Sequence, residues 1–296
     1  MRRDEFSAVH PAVSFFFFAA IITVTMLYMH PVLLIISFAA ASGGVCILKG
    51  ARKFFKLLLG LLPFLLIVAV INALFNNAGV TPLFYFSNGN AMTAEALTYG
   101  FFACLMFSTV VLWFSSFNVV MTSDKLLYLF GALSPSLSLM LSMALRFVPR
   151  FSQKIRAVRA AREGIGLSGS GGFIKRLKDG AKVLSSTVTW ALEGSVTTAD
   201  SMKSRGYGTH KRTYFSLYKF TSGDAAALIA MSLLLAALIA SVALGGIYAR
   251  YYPSIIISRF SPLSAVGMAA FAVLCFMPHI YLLKESYSWS HSVSGI

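Results

Sequence analysis

Apolar residues run almost unbroken through several stretches of this chain, and polar residues gather between the stretches rather than alternating with apolar ones. Residues 13–29 and 31–48 are two such stretches, divided only at His30-Pro31. Each is near the shortest length that crosses a hydrocarbon core as a helix, and the proline makes a natural boundary. They read as a tight helical hairpin. A third stretch covers residues 57–75 and a fourth 96–119, and the last two cover 225–247 and 263–283. The pattern predicts an all-α polytopic membrane protein with about six transmembrane helices.

The polar segments between these stretches orient them. Lys49, Arg52, Lys53 and Lys56 flank the second and third stretches, which places that turn inside, and Arg2 and Arg3 place the amino terminus there too. Asn76 to Glu95 is rich in Asn, Gly and Pro and carries no Lys or Arg, as an outside loop does. Arg250 and Arg259 lie in the last connection and argue weakly the other way.

Residues 127–147 are apolar enough to count as a further span, but parity opposes this. After four spans from an inside terminus, the chain is inside near Met121, and a fifth crossing would carry the next segment outside. That segment, Arg146 to Lys219, holds fifteen Lys or Arg against four acids. Because Arg146, Arg150, Lys154, Arg156 and Arg159 directly follow the disputed stretch, it is kept inside as an interfacial or shallow helix. Ser134, Pro135, Ser136, Ser138 and Ser142 interrupt its apolar run, as such a helix allows. Three regions result: 1–126 with amino-terminal spans, 127–219 as an interfacial and cytoplasmic region, and 220–296 with carboxyl-terminal spans.

After Pro149, a short basic helix over Phe151 to Arg162 is expected to end at Glu163-Gly164, with Gly166, Gly169, Gly171 and Gly172 forming a joint. A longer helix is predicted from Phe173 to Ser204, with Phe173, Leu177, Ala181, Leu184, Val188, Ala191 or Leu192, and Val196 on one face. Such a helix would extend about 48 Å. Arg162 stands near the end of the first helix and Arg205, before Gly206-Tyr207-Gly208, near the end of the second. An ordinary cation at a glycine-capped helix end explains both. A fork-shaped guanidinium offered to a partner cleft explains them as well.

Composition narrows the classes further. Of 296 residues, 57% are hydrophobic and 12% charged, against about 25% charged in a soluble domain. The apolar stretches cannot all be buried in one soluble core of this length. A cleaved secretory leader explains the first stretch badly, since apolar character continues directly into the second. Net charge +15 raises nucleic-acid binding, but inside-facing positive charge accounts for much of it and no recognised module is present. Cys46, Cys104 and Cys275 have no metal-like spacing, and His10, His30, His210, His279 and His291 form no ligand cluster. The glycines from Gly164 to Gly172 lack the lysine of a phosphate-binding loop. Glu95 and Asp124 sit near span ends, as boundary or capping groups do. No grouping proposes catalysis, so the chain reads as a non-enzyme without cofactor.

Ala144-Leu145-Arg146-Phe147-Val148-Pro149, Arg159-Ala160-Ala161-Arg162-Glu163-Gly164, Ser201-Met202-Lys203-Ser204-Arg205-Gly206-Tyr207-Gly208 and Lys211-Arg212-Thr213 together resemble a known family. It is the transmembrane energy-coupling (T) component of energy-coupling factor transporters, the CbiQ/EcfT family of vitamin and transition-metal importers. The resemblance is carried by residues 120–220, and the flanking hydrophobic pattern extends it over nearly the whole chain.

The resemblance implies long cytoplasmic coupling helices between spans four and five, each ending in an arginine that docks in one of two ATP-binding cassette ATPases. Carried over, the ATPase-coupling residues are Arg162 with Gly164, and Arg205 with Ser204 and Gly206. Glu163 stands where the family has glycine, so Arg159 is an alternative first anchor. The resemblance also implies a small membrane substrate-binding (S) subunit, ATP and Mg in the partner ATPases, and a place in the cytoplasmic (inner) membrane with both termini inside. Gly180 and Gly194 are expected to permit close packing or bending of the long arm. The competing reading is a secondary transporter or channel without ATPases, which needs ionisable groups within the spans, where they are scarce.

Overall fold

The structure is a computed structural model and describes residues 9–76, 79–85, 91–133, 135–167, 172–209 and 218–293. Arg2, Arg3, Ser134, Gly169, Gly171, His210, Lys211, Arg212 and Thr213, which the sequence reading used, lie outside the described residues. The helices are α1 (Pro11–Leu27), α2 (Pro31–Lys49), α3 (Ala51–Phe75), α4 (Ala94–Val120), α5 (Ser123–Leu133), α6 (Pro135–Gly164), α7 (Phe173–Ser204), α8 (Ser222–Ala243) and α9 (Pro262–Val293). Two short antiparallel ribbons join them: β1 (Pro82–Tyr85) with β2 (Ala91–Thr93), and β3 (Ala249–Arg250) with β4 (Ile256–Ile257). Chain packing separates residues 1–126 with 218–296 from residues 127–217.

In the first unit, five helices among the described residues are long and apolar enough to cross a membrane: α2, α3, α4, α8 and the first part of α9. The apolar α1 has 17 residues. The chain is an all-α polytopic membrane protein. Two His-Pro pairs start α1 and α2, each placing proline at the first helical position, where its missing N–H costs nothing.

The third helix starts earlier than the hydropathy implied. A single residue, Gly50, turns the chain from α2 into α3 at φ +87, a left-handed conformation that only glycine adopts freely. Arg52, Lys53 and Lys56 are therefore helical rather than part of a linker. The region 76–95 also departs from a plain loop, since it holds the β1–β2 ribbon. Glu95 ties this ribbon to α4, accepting from Thr81 Oγ1 at 2.7 Å, while Thr93 caps the helix.

The core of this unit is a contact of α1, α2, α4, α8 and α9. Trp113 of α4 is buried with Phe17 and Phe18 at ring distances of 5.9 and 6.1 Å, and Leu33, Leu112, Leu238, Phe271 and Leu274 belong to the same buried cluster. By contrast, only 6% of the apolar window of α3 is buried, so Leu59, Leu66 and Ile67 face outward as lipid-contacting side chains do. Tyr251 donates to the Met29 carbonyl at 2.8 Å and Asn76 donates to Tyr252 at 2.8 Å, joining three connections at one end of the bundle. At the other end Lys49 donates to Ser115 at 2.7 Å, the His10 N–H donates to Asp224 at 3.3 Å, and Lys125 is buried with its ammonium on the Val120 carbonyl. Burial pulls the pKa of Lys125 below the usual lysine range.

Candidate functional site

The second unit is built around α6 and α7, and its first surprise is the length of α6. The expected basic helix after Pro149 is the second half of one 30-residue helix that begins at Pro135 and passes through Pro149. Proline at position 149 removes one donor, the partner of the Leu145 carbonyl. Losing that bond costs less than nucleating a second helix after it. The stretch 127–147 is accordingly divided between α5 and α6 instead of forming a helix of its own.

The carboxyl-terminal half of α6 and the amino-terminal half of α7 pair antiparallel. Phe151 meets Trp190 at 6.0 Å between ring centroids, and Arg162 meets Asp179 at 2.9 Å. Each pair is separated from the other by about three turns on both helices, so the two contacts share one register. Phe151, Ile155, Val158 and Arg162 form the half-buried face of α6, and Val183 and Thr187 are the buried positions of α7. Lys154 lies 5.3 Å from the centroid of the Trp190 ring, a cation held on an aromatic face.

This pairing uses a different face of α7 from the apolar stripe read in the sequence. Phe173, Leu177, Leu184, Val188, Leu192 and Val196 are all exposed in the chain. Gly180 and Gly194 do not serve close packing within it either, since a Cβ at each would meet nothing within 4 Å. Seven turns of a helix thus present leucine, valine and phenylalanine outward, far more apolar surface than a solvated helix carries.

Both helices end in the same backbone motif. At the end of α6 the Leu167 N–H donates to the Arg162 carbonyl at 2.9 Å and the Gly166 N–H to the Glu163 carbonyl at 3.0 Å. At the end of α7 the Tyr207 N–H donates to Met202 at 3.0 Å and the Gly206 N–H to Lys203 at 2.9 Å. These are two Schellman turns, with Gly166 at φ +71 and Gly206 at φ +79 as their left-handed residues.

The arginines stand at unlike places in these like turns. Arg205 immediately precedes its left-handed glycine, whereas Arg162 is four residues ahead of Gly166. Gly164, expected to terminate α6, is its last helical residue, and the left-handed position is Gly166. Arg205 is exposed, and no hydrogen bond or ion pair holds its side chain among the described residues; Ser204 beside it donates to the Ser201 carbonyl at 3.0 Å. Arg162 is held by Asp179, with 16% of its side chain exposed. Arg159 is exposed. The structure does not bring Arg162 and Arg205 together: from Asp179 to Arg205 the arm runs about 39 Å.

Asp179 was not singled out from sequence. A signal was available, since it is the lone acid among Lys175, Arg176, Lys178 and Lys182. Among the described residues no group of His, Cys, Asp and Glu is placed to hold a metal ion.

No curated protein matched the chain. The family model described as CbiQ, cobalt transport protein, matches it over residues 6–215, which takes in α1 to α7 and both arginine-bearing helix ends. The chain therefore belongs to the CbiQ cobalt transport protein family and is a membrane component of transport.

Proposed function

We propose that this chain is the transmembrane scaffold of an ATP-driven importer of a vitamin or a transition metal, coupling two cytoplasmic ATP-binding cassette ATPases to a small membrane substrate-binding subunit. The observation that carries the reading is the α6–α7 pair. Both helices end in Schellman turns, and from Asp179, which holds Arg162 at the end of α6, to Arg205 the arm runs about 39 Å; Arg159 and Arg205 are exposed, as docking in two separate pockets on paired ATPases would require. The outward apolar face of α7, from Phe173 to Val196, suits a hydrophobic membrane partner.

In this reading residues 1–126 and 220–296 are the membrane-spanning parts and 127–219 the coupling region. Lys49, Arg52, Lys53, Lys56 and Lys125 lie at the end of the bundle from which the coupling region departs, and Arg250 lies at the other. That distribution favours an inside coupling region, with both termini inside and the protein in the cytoplasmic membrane. ATP and Mg act in the ATPases, whose closure moves the ends of α6 and α7. The second anchor is Arg205 with Ser204 and Gly206; the first lies at the end of α6, at Arg162 with Gly164 or at Arg159.

The experiment is purification of the tagged chain from its native membranes, identification of copurifying chains, and substrate uptake by the reconstituted complex. Paired ATPases and a small hydrophobic protein are expected, with uptake dependent on ATP. Uptake by the chain alone, without ATPases, would replace this reading with a secondary transporter or channel.

A further inference from the structure

We infer that Arg162 is a positioning residue that locks α6 against α7, and that Arg159 is the guanidinium the first helix end offers to an ATPase. The inference rests on the coupling reading above and decides which arginine of α6 performs the docking.

Arg162 is on the half-buried face of α6 with Phe151, Ile155 and Val158, turned toward α7. Its Nη2 donates to Asp179 Oδ1 at 2.9 Å, and its Nε is buried without a hydrogen-bond partner. To reach a second protein it would have to break this pair and strand the Asp179 carboxylate, which is only 23% exposed. The pair also repeats the register set by Phe151 and Trp190, so it closes the hairpin at the end nearest its loop. A contact that fixes how two helices align is what a strut does.

Arg146 is exposed in the first half of α6, far from its end, and the cations between it and Arg159 are engaged. Arg150 lies 6.0 Å from the centroid of the Phe147 ring, Lys154 is on Trp190, and Arg156 is bonded to Ser152. Arg159 is exposed and has no hydrogen bond or ion pair among the described residues. It is the free guanidinium in the last two turns of α6. It matches Arg205 in exposure and in freedom, as Arg162 does not.

Charge exchange separates the roles. The full chain is expressed with the ATPases that copurify with the unaltered protein, and R162D, D179R, R162D/D179R, R159E and R205A are compared. ATPase recovery and the melting temperature of the detergent-solubilised chain are both read. R162D and D179R should each lower melting temperature and ATPase recovery, and the double exchange should restore the melting temperature and bring ATPase recovery to within about twofold of the unaltered protein. R159E should lower ATPase recovery about tenfold or more with melting temperature unchanged. A double exchange that recovers melting temperature but not ATPase would overturn the inference, since Arg162 itself would then touch the ATPase. So would R159E with full ATPase recovery, or a double exchange no more stable than its parents. R205A that keeps full ATPase recovery would instead sink the coupling reading, leaving the strut to be judged by melting temperature.

Discussion

The indole N–H of Trp113 donates to Ser37 Oγ over 2.9 Å, and the same hydroxyl oxygen lies 3.0 Å from Thr25 Oγ1. Three helices, α1, α2 and α4, thus share one buried polar junction inside an otherwise apolar core. Removing Ser37 strands the Trp113 donor where neither water nor lipid replaces the bond. Ser37→Ala should therefore destabilise by about 1 kcal/mol, the scale of interhelical hydrogen bonds in membranes. Adding Trp113→Phe on top should cost less than it does alone, because the donor is already idle. Additive melting temperatures in that cycle would show that the two residues do not interact.

Two glycines should respond to alanine in opposite directions. At Gly267 a Cβ would lie 2.5 Å from Ser241 Oγ and 2.8 Å from Ile247 Cδ1, where α9 packs against α8 and the connection that follows it. Gly267→Ala is expected to cost about 1–3 kcal/mol through overpacking. At Gly180 a Cβ meets nothing, and the residue is inside a helix. Gly180→Ala should stabilise the isolated chain by about 0.5–1 kcal/mol, the ordinary helix preference. Thermal melting of the two variants in detergent checks both signs.

His30 predicts a dependence on pH. It is buried between α1 and α2, with Nε2 3.4 Å from Ser258 Oγ, and burial lowers its pKa from 6.5. The folded chain therefore holds it neutral while the unfolded chain takes up a proton as pH falls through about 6.5. Below that value the unfolded state binds more protons, so stability falls with pH until the lowered native value is passed. His30→Gln should flatten this part of the melting profile. An unchanged loss between about pH 7 and 5 would assign it to other groups.

Arg205 carries the assembly prediction. Its exposed guanidinium offers donors in a fixed fork, so Arg205→Ala should reduce ATPase recovery about tenfold or more. Arg205→Lys keeps charge but loses the fork and should fall between the two. Equal recovery for arginine and lysine would mean that charge alone is read. The melting temperature should not change in either variant, because no side-chain contact within the described residues is lost.

Much of the architecture was legible because membrane helices are written in local composition. The stretches read at 13–29 and 31–48 reappear as α1 and α2 within a few residues, and the His-Pro pairs that start them need nothing distant. The start of α3 was misplaced by six residues, since hydropathy follows the side chains while the backbone follows Gly50. Pro149 was read as a boundary because its effect is local, yet α6 continues through it. At the candidate site the glycine-capped ends were foreseen, but Gly166 rather than Gly164 takes the left-handed conformation.

Composition and spacing along one helix were enough to set the apolar helices α1 to α4, α8 and α9, the long arm from Phe173 to Ser204 and the two arginine-bearing ends. That α7 turns Val183 and Thr187 toward α6 and leaves its leucines outward, and that Asp179 takes hold of Arg162, came from the packing of the two helices. A single helix displays every face equally; which one is covered, and which cation is neutralised, depends on the register of a second helix that no periodicity in the first encodes.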